Sequence, residues 1–424
     1  MPEPAADANP TITAATAATA ATAATAATAP PGPARVRQVP ALWLALLATP
    51  VAAGANSPVL ILPDMAGSFG VRPASVTWLV TAFAWAMAVG TPLMASLLRR
   101  RGLRTTLHVS TVLVLAGTLL VALTPWMALA LPGRAAQAVG GAGLITSAMS
   151  LAGSVRRMGV ITAGFGVLGA VGPLLGSLLA DALSWRVSLA VSVLALLALP
   201  AVTRDAPRTH PAPATSFDGR GAALLVALAT ALVFVPHHPL PAAGAALAAA
   251  ALLAAHVRAR PDGFVPAALL RTPAFPLAAL LACALATSYF ALLFAVPQLL
   301  ADRTNWSTAT IGTGQLVALL AGSFLSLALA AVSARLGRRR VLTVLITLGA
   351  LAPVTAAVSP WAPLLLLVAA AAVFTTTAGN ATLAVYATQA APASQRPTVI
   401  GLFNLCYQLG GAFGPAIAAL LTLT

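Results

Sequence analysis

From Ala41 onward, apolar stretches of about 20 residues follow one another, and nearly all charged side chains fall in the short segments between them. A helix that crosses a hydrocarbon core of about 30 Å needs about 20 such residues. Backbone in lipid must also satisfy its own hydrogen bonds, which leaves helices or closed barrels. The runs here are continuous rather than alternating, so they select helices over barrel strands. Only 7% of the 424 residues are charged and 59% are hydrophobic. Soluble domains carry about 25% charged residues, so the composition excludes a soluble enzyme or a nucleic-acid-binding domain. The fold class expected is an all-α polytopic membrane protein.

Residues 1–40 differ. A threonine/alanine repeat leads into Pro30, Pro31, Pro33 and Pro40. Such low-complexity sequence has little to bury and reads as a disordered tail. No short basic region precedes it, so it does not resemble a signal peptide. Thirteen spans are expected, near 41–62, 76–98, 105–125, 127–152, 158–180, 185–203, 221–237, 241–257, 273–299, 310–333, 341–358, 361–386 and 398–423. They divide into an N-terminal six-helix bundle (41–203), a linker (204–220), an inserted helix pair (221–257) and a C-terminal bundle (258–424).

All 23 basic residues are arginine, giving a formal net charge of +15. With the N-terminus inside, the clusters around Arg99, Arg156, Arg204, Arg258 and Arg338 all face the cytoplasm. The opposite side receives only Arg72, Arg186 and Arg303. This bias is the positive-inside pattern of a plasma-membrane protein, and it requires an even number of spans in the central insertion. Cys283 and Cys406 lie in apolar runs, and the five histidines do not cluster with cysteines or carboxylates. Neither a disulfide framework, a metal site, a cofactor nor an enzyme centre is indicated.

Two pairs of landmarks repeat. RRRGLRTTL at 99–107 matches ARLGRRRVL at 334–342, and Gly172-Pro173 matches Gly414-Pro415. The offsets are nearly equal, which indicates two homologous halves, a transporter architecture. The glycines Gly102 and Gly337 permit tight turns, and Arg99, Arg100, Arg104, Arg335, Arg338 and Arg339 either anchor those turns at headgroups or serve only as topology signals. Arg134, with Gln137 one turn later, stands inside a span. An intramembrane arginine must pair, line water or snorkel, so it either faces a cavity or anchors at the outer interface after Leu131-Pro132-Gly133. Gly164, Gly169, Gly172, Pro173 and Gly176 in the fifth span allow close helix approach, as do Gly410, Gly411, Gly414 and Pro415 in the thirteenth. They are expected to form a bendable seam between the halves.

In this order the motifs resemble the major facilitator superfamily, in particular its fourteen-helix drug:proton antiporter branch, over residues 41–424. On this register the second half stops one helix short of the family layout. The resemblance implies proton coupling through Arg134 and an antiporter role for the glycine/proline motif. Two positions depart from it: Arg99 stands where the family carries an aspartate, and Gly54 where the branch commonly has one in its first helix. The acidic residues are Glu3, Asp7, Asp64, Asp181, Asp205, Asp218, Asp262 and Asp302. Asp64 and Asp181 alone suit a proton relay, and each also reads as an interfacial cap. The expected cavity has aromatic walls at Trp78, Trp85, Tyr289, Tyr386 and Tyr407 and polar contacts at Asn56, Gln298, Asn380, Asn404 and Gln408. Apolar walls with sparse hydrogen-bonding groups suit small hydrophobic or amphipathic compounds. The resulting expectation is a monomeric secondary transporter exporting a drug or secondary metabolite by proton antiport. A proton-independent facilitator and a non-transporting, sensor-like relative are the alternatives.

Overall fold

The computed structural model describes residues 39–152, 155–205, 217–236, 238–389 and 396–422. The expected tail (1–38), most of the linker (206–216), His237, and the side chains of Arg335 and Arg338 lie outside the described residues. Among the described residues every ordered element is helical.

The first half begins with α1 (Ala41–Asn56), which tightens into a 3₁₀ turn over Ser57–Leu60. A short helix, α2 (Leu62–Phe69), ends on the left-handed Gly70. The next element, α3 (Pro73–Leu123), runs 51 residues and holds two of the expected spans. Its arms are separated at Gly102, where φ is 80° and ψ is 175°. Only glycine occupies that region without strain, so RRRGLR becomes a sharp turn instead of more helix. Gly337, with φ 75°, does the same in the second half. Then follow α4 (Met127–Ala152), α5 (Val155–Ala182), α6 (Trp185–Ala190) and α7 (Leu199–Asp205), the last two joined by 3₁₀ helix. Between the halves stand α8 (Gly219–Phe234), α9 (Pro239–Ala259) and the short α10 (Ala267–Arg271). The second half comprises α11 (Ala274–Arg303), α12 (Thr308–Leu336), α13 (Arg338–Val358), α14 (Ala362–Gln389) and α15 (Arg396–Thr422).

Each of the thirteen expected spans falls on a helix. Ten of the helices described are long and apolar enough to cross a membrane, with α3 counted once, and α8 is shorter. Many large apolar side chains point outward, among them Leu119, Leu123, Leu247 and Leu277, as a lipid-facing surface requires.

Packing inside each half is close. A Cβ at Gly172 would lie 2.9 Å from the Ala53 carbonyl of α1, and one at Gly176 would run into Ser57 O. In the second half Gly410 and Gly414 press against the α11 backbone at Cys283 and Phe290. The glycine seam therefore lies inside each half, binding α5 to α1 and α15 to α11, and not between the halves as expected. The halves meet elsewhere, where α3 packs on α15 and α5 on α12.

The α8–α9 pair is joined to the first half by side chains. Trp85 donates from Nε1 to Thr230 Oγ1 at 3.1 Å, and Trp78 meets the Phe234 ring at 5.2 Å. Asp218 caps α8: its Oδ1 accepts from Gly221 N–H at 3.0 Å, and its Oδ2 accepts from Phe264 N–H at 2.9 Å. His256 Nε2 lies 2.8 Å from Oδ1. One carboxylate thus ties the start of α8, the end of α9 and the connection to α10. Burial raises its pKa, but the N–H groups of Phe264 and Gly221 together with His256 outweigh that, so Asp218 titrates below its ordinary value.

Two outcomes follow. Gly102→Ala forces a side chain into the φ 80° conformation and costs about 1–3 kcal/mol, read as a lowered melting temperature in detergent. Gly67→Ala, at an open position with ordinary helical geometry, leaves it nearly unchanged. The depressed Asp218 contributes stability above its unfolded pKa of about 3.9, and that contribution disappears as pH falls through the lower folded value. Asp218→Asn should therefore melt below the unmutated protein at neutral pH, and the two melting temperatures should converge as the pH drops below about 3.9.

Candidate functional site

Arg134 stands about two turns inside α4 and has no exposed surface. Its Nη1 donates to Gln137 Oε1 at 2.8 Å, and its Nη2 donates to the Gly54 carbonyl at 3.3 Å. The guanidinium carbon lies 4.3 Å from the centre of the Phe83 ring. Gln137 passes the network on, donating from Nε2 to Thr118 Oγ1 at 2.9 Å and to Leu189 O at 3.2 Å. Helices α1, α4, α6 and both arms of α3 thus converge on a single cation. Its partners are a carbonyl, an amide and an aromatic face. Nε has no partner.

A buried charge without a counter-ion is costly. Hydrogen bonds to a charged group recover about 1.5–3 kcal/mol each, and a desolvated cation–π contact recovers about 2 kcal/mol. With no exposed surface, the guanidinium opens onto neither a cavity nor a headgroup region in this conformation. At Gly54 a Cβ would meet Ser192 Oγ, so α1 packs closely on the 3₁₀ segment after α6 and presents its backbone carbonyl to Arg134.

A second polar group forms where the halves meet. Asn56, two residues beyond Gly54, donates from Nδ2 to Gly169 O at 2.9 Å. Tyr289 of α11 lies against the Asn56 side chain, and Tyr407 of α15 lies against Thr376 of α14. Asn56 and Tyr289 therefore join the first half to the second through an amide and a hydroxyl group.

At the arginine-rich end, Arg99 donates from Nη1 to Thr398 Oγ1 at 3.1 Å, crossing between the halves. It lines a narrow crevice with Pro92, Phe264 and Gly401. Arg100 lies over Phe217 at 5.2 Å. Arg104 and Arg339 are exposed. Arg99 thus ties the two halves together by a hydrogen bond to a threonine.

Other candidates fall away from these groups. Asp64 is exposed in the first turn of α2 and does not join the Arg134 network. Trp78 and Trp85 face α8, not the centre. Gln298, Asn380, Tyr386, Asn404 and Gln408 are half-buried on α11, α14 and α15. Sequence reading did not anticipate Thr118, the carbonyls of Gly54 and Leu189, or Gln315. The last is fully buried on α12 and donates to Leu293 O at 2.9 Å. A glutamine inside an apolar run was the signal available for it.

If Phe83 supports the Arg134 cation, the two side chains should be energetically coupled. Phe83→Leu and Arg134→Gln, combined in a double-mutant cycle of thermal or denaturant stability, should give a coupling of about 1–2 kcal/mol. Additive effects would mean that Phe83 contributes packing alone.

Comparison with known proteins agrees with this architecture. The Major Facilitator Superfamily model matches residues 42–415. Among curated relatives, the uncharacterized MFS-type transporter Rv1877 of Mycobacterium tuberculosis is 32% identical over 194 residues, which is 42% of this chain and 27% of its own length. The uncharacterized MFS-type transporter YvkA of Bacillus subtilis is 31% identical over 155 residues, 34% of this chain and 35% of its own. The matches thus span about a quarter to a third of these relatives. Among solved structures, the human organic anion transporter MFSD10 (TETRAN) superposes with a TM-score of 0.61 at 18% identity, over 92% of this chain and 95% of that one. A POT family transporter in complex with a thioalcohol-conjugated peptide gives a TM-score of 0.62 at 12% identity, over 90% of each chain. At such identities the likeness concerns the fold. With two packed helical halves that meet along α3–α15 and α5–α12 and a family match across nearly all the spans, the chain belongs to the Major Facilitator Superfamily.

Proposed function

We propose that the protein exports small hydrophobic or amphipathic compounds, a drug or a secondary metabolite, across the bacterial plasma membrane. Movement is by alternating access, with the N-terminus and the arginine-rich turns on the cytoplasmic side. The observation that carries this reading is the contact of Asn56 with Tyr289, which joins the two halves through an amide and a phenol group set among apolar side chains. Such a surface takes compounds with large apolar bodies and few polar groups. Inward opening parts α3 from α15 and breaks the Arg99–Thr398 bond. Outward opening parts α5 from α12, where Gly312 meets Leu60 and Leu174. The α8–α9 pair is an insertion between two homologous halves in this scheme.

Coupling has two readings. Resemblance to the drug:proton antiporter branch assigns proton exchange, with Arg134 and Gln137 as the coupling pair. A proton-independent facilitator is favoured by one observation: the acidic residues among those described stand at helix ends or in connections.

Proteoliposomes holding a pH-sensitive dye, loaded with an uncharged lipophilic compound, test both. Compound efflux that falls about tenfold or more in Arg134→Ala supports the exporter, since that corresponds to losing about one charge-assisted hydrogen bond. Proton uptake that appears only with efflux assigns antiport, and efflux without it assigns facilitation. A folded protein that moves none of a broad compound panel overturns the exporter in favour of a non-transporting relative.

A further inference from the structure

We propose that the transported compound is uncharged or anionic, and that Arg134 makes the transport path reject lipophilic cations. This rests on the exporter reading above and names the charge class of its substrate.

The sequence holds only eight acidic residues. Glu3 and Asp7 precede the first span. Asp64 is exposed on α2, Asp181 is exposed at the end of α5, Asp205 ends α7, and Asp218 caps α8. Asp262 is exposed in the connection before α10, and Asp302 is exposed at the end of α11. Among the described residues, therefore, no carboxylate stands in the middle of a span to receive a cation. A cation that leaves water without a partner bears most of its desolvation cost unrecovered.

Arg134 adds repulsion to that missing partner. It is fully buried, and its contacts at Gln137, Gly54 and Phe83 are all neutral. They solvate the guanidinium but leave its unit charge uncancelled. Gly54, which receives one of its hydrogen bonds, stands two residues before Asn56 on α1, about 3 Å along the helix. Asn56 touches Tyr289 of the opposite half. The charge is thus on the order of 10 Å from the junction between the halves, which on the exporter reading lies on the compound's path. At that distance, with an effective dielectric constant of about 20, a fixed positive charge disfavours a monovalent cation by roughly tenfold or more and favours a monovalent anion by a similar factor. The unpartnered Nε of Arg134 is a donor of matching sign. Neutral compounds feel only the apolar walls and the amide and phenol groups.

Gln137 offers a way to cancel the charge with little change of shape. Its Oε1 already lies 2.8 Å from Arg134 Nη1, so Gln137→Glu places a carboxylate beside the guanidinium.

The test uses the full chain in proteoliposomes and three fluorescent dyes of similar size: a cationic rhodamine ester, an uncharged boron-dipyrromethene and a monoanionic fluorescein. Protein-free vesicles supply the passive leak. The expected result is protein-dependent movement of the neutral or the anionic dye at about ten times the rate of the cation or more. In Gln137→Glu the preference should shrink to within about threefold, through faster cation movement and slower anion movement. Arg134→Gln should shrink it too, so a folding failure of one variant leaves the other. The ratio in the unmutated protein decides independently of both. Cation movement as fast as that of the other two dyes overturns the charge assignment and leaves the exporter reading standing. Movement of none of the three by folded protein overturns the exporter reading, and the charge assignment falls with it.

Discussion

Helix backbones that touch are the condition on which this structure depends. In a lipid phase, apolar side chains gain nothing by leaving water for a neighbouring helix, so bundles are held by dispersion and by close approach at small residues. Here the contact is made by Gly172 and Gly176 on α1, and by Gly410 and Gly414 on α11. Each half is stapled along the same pair of helices, its first and its fifth. The halves then behave as two bodies. Their mutual contacts, α3 on α15 and α5 on α12, are the ones a transport cycle can make and break.

The same closeness sets the chemistry of the buried arginine. Gly54, where α1 packs closely on the segment around Ser192, presents its backbone carbonyl to Arg134. The cation is therefore held by dipoles and a ring face. Removing any one partner leaves a polar group in an apolar interior, and such orphans are more costly than the bonds they once made. Arg134, Gln137 and Thr118 are accordingly a single unit, distributed over two helices.

Much of this was legible in the sequence because bilayer thickness is a strict ruler. Every expected span lies on a helix, and both turn glycines have the positive φ that their arginine-flanked settings suggested. The pairing of Arg134 with Gln137 followed from helical spacing alone. What escaped was everything set by helices meeting across the chain. The glycine faces turned inward within each half, because their partner helix could not be read from spacing. Trp78 and Trp85 turned toward α8, since an aromatic on a lipid-phase helix reads alike on any face. The carbonyls that hold Arg134 and Gln137 carry no sequence signature, and neither does Thr398 as the partner of Arg99. Asp64 looked available for coupling because linear distance from a span says nothing of exposure.

The Arg99–Thr398 bond joins residues 299 positions apart, and that separation bears on how the protein is made. At a synthesis rate of about 5–20 residues per second, the first half emerges some 15–60 seconds before its partner surface on α15 exists. During that interval α3 has no α15 to pack against, whereas α8, which meets Trp78 and Trp85, is synthesised sooner. Chain order therefore lets α8 dock on α3 before the α3–α15 contact between the halves can close.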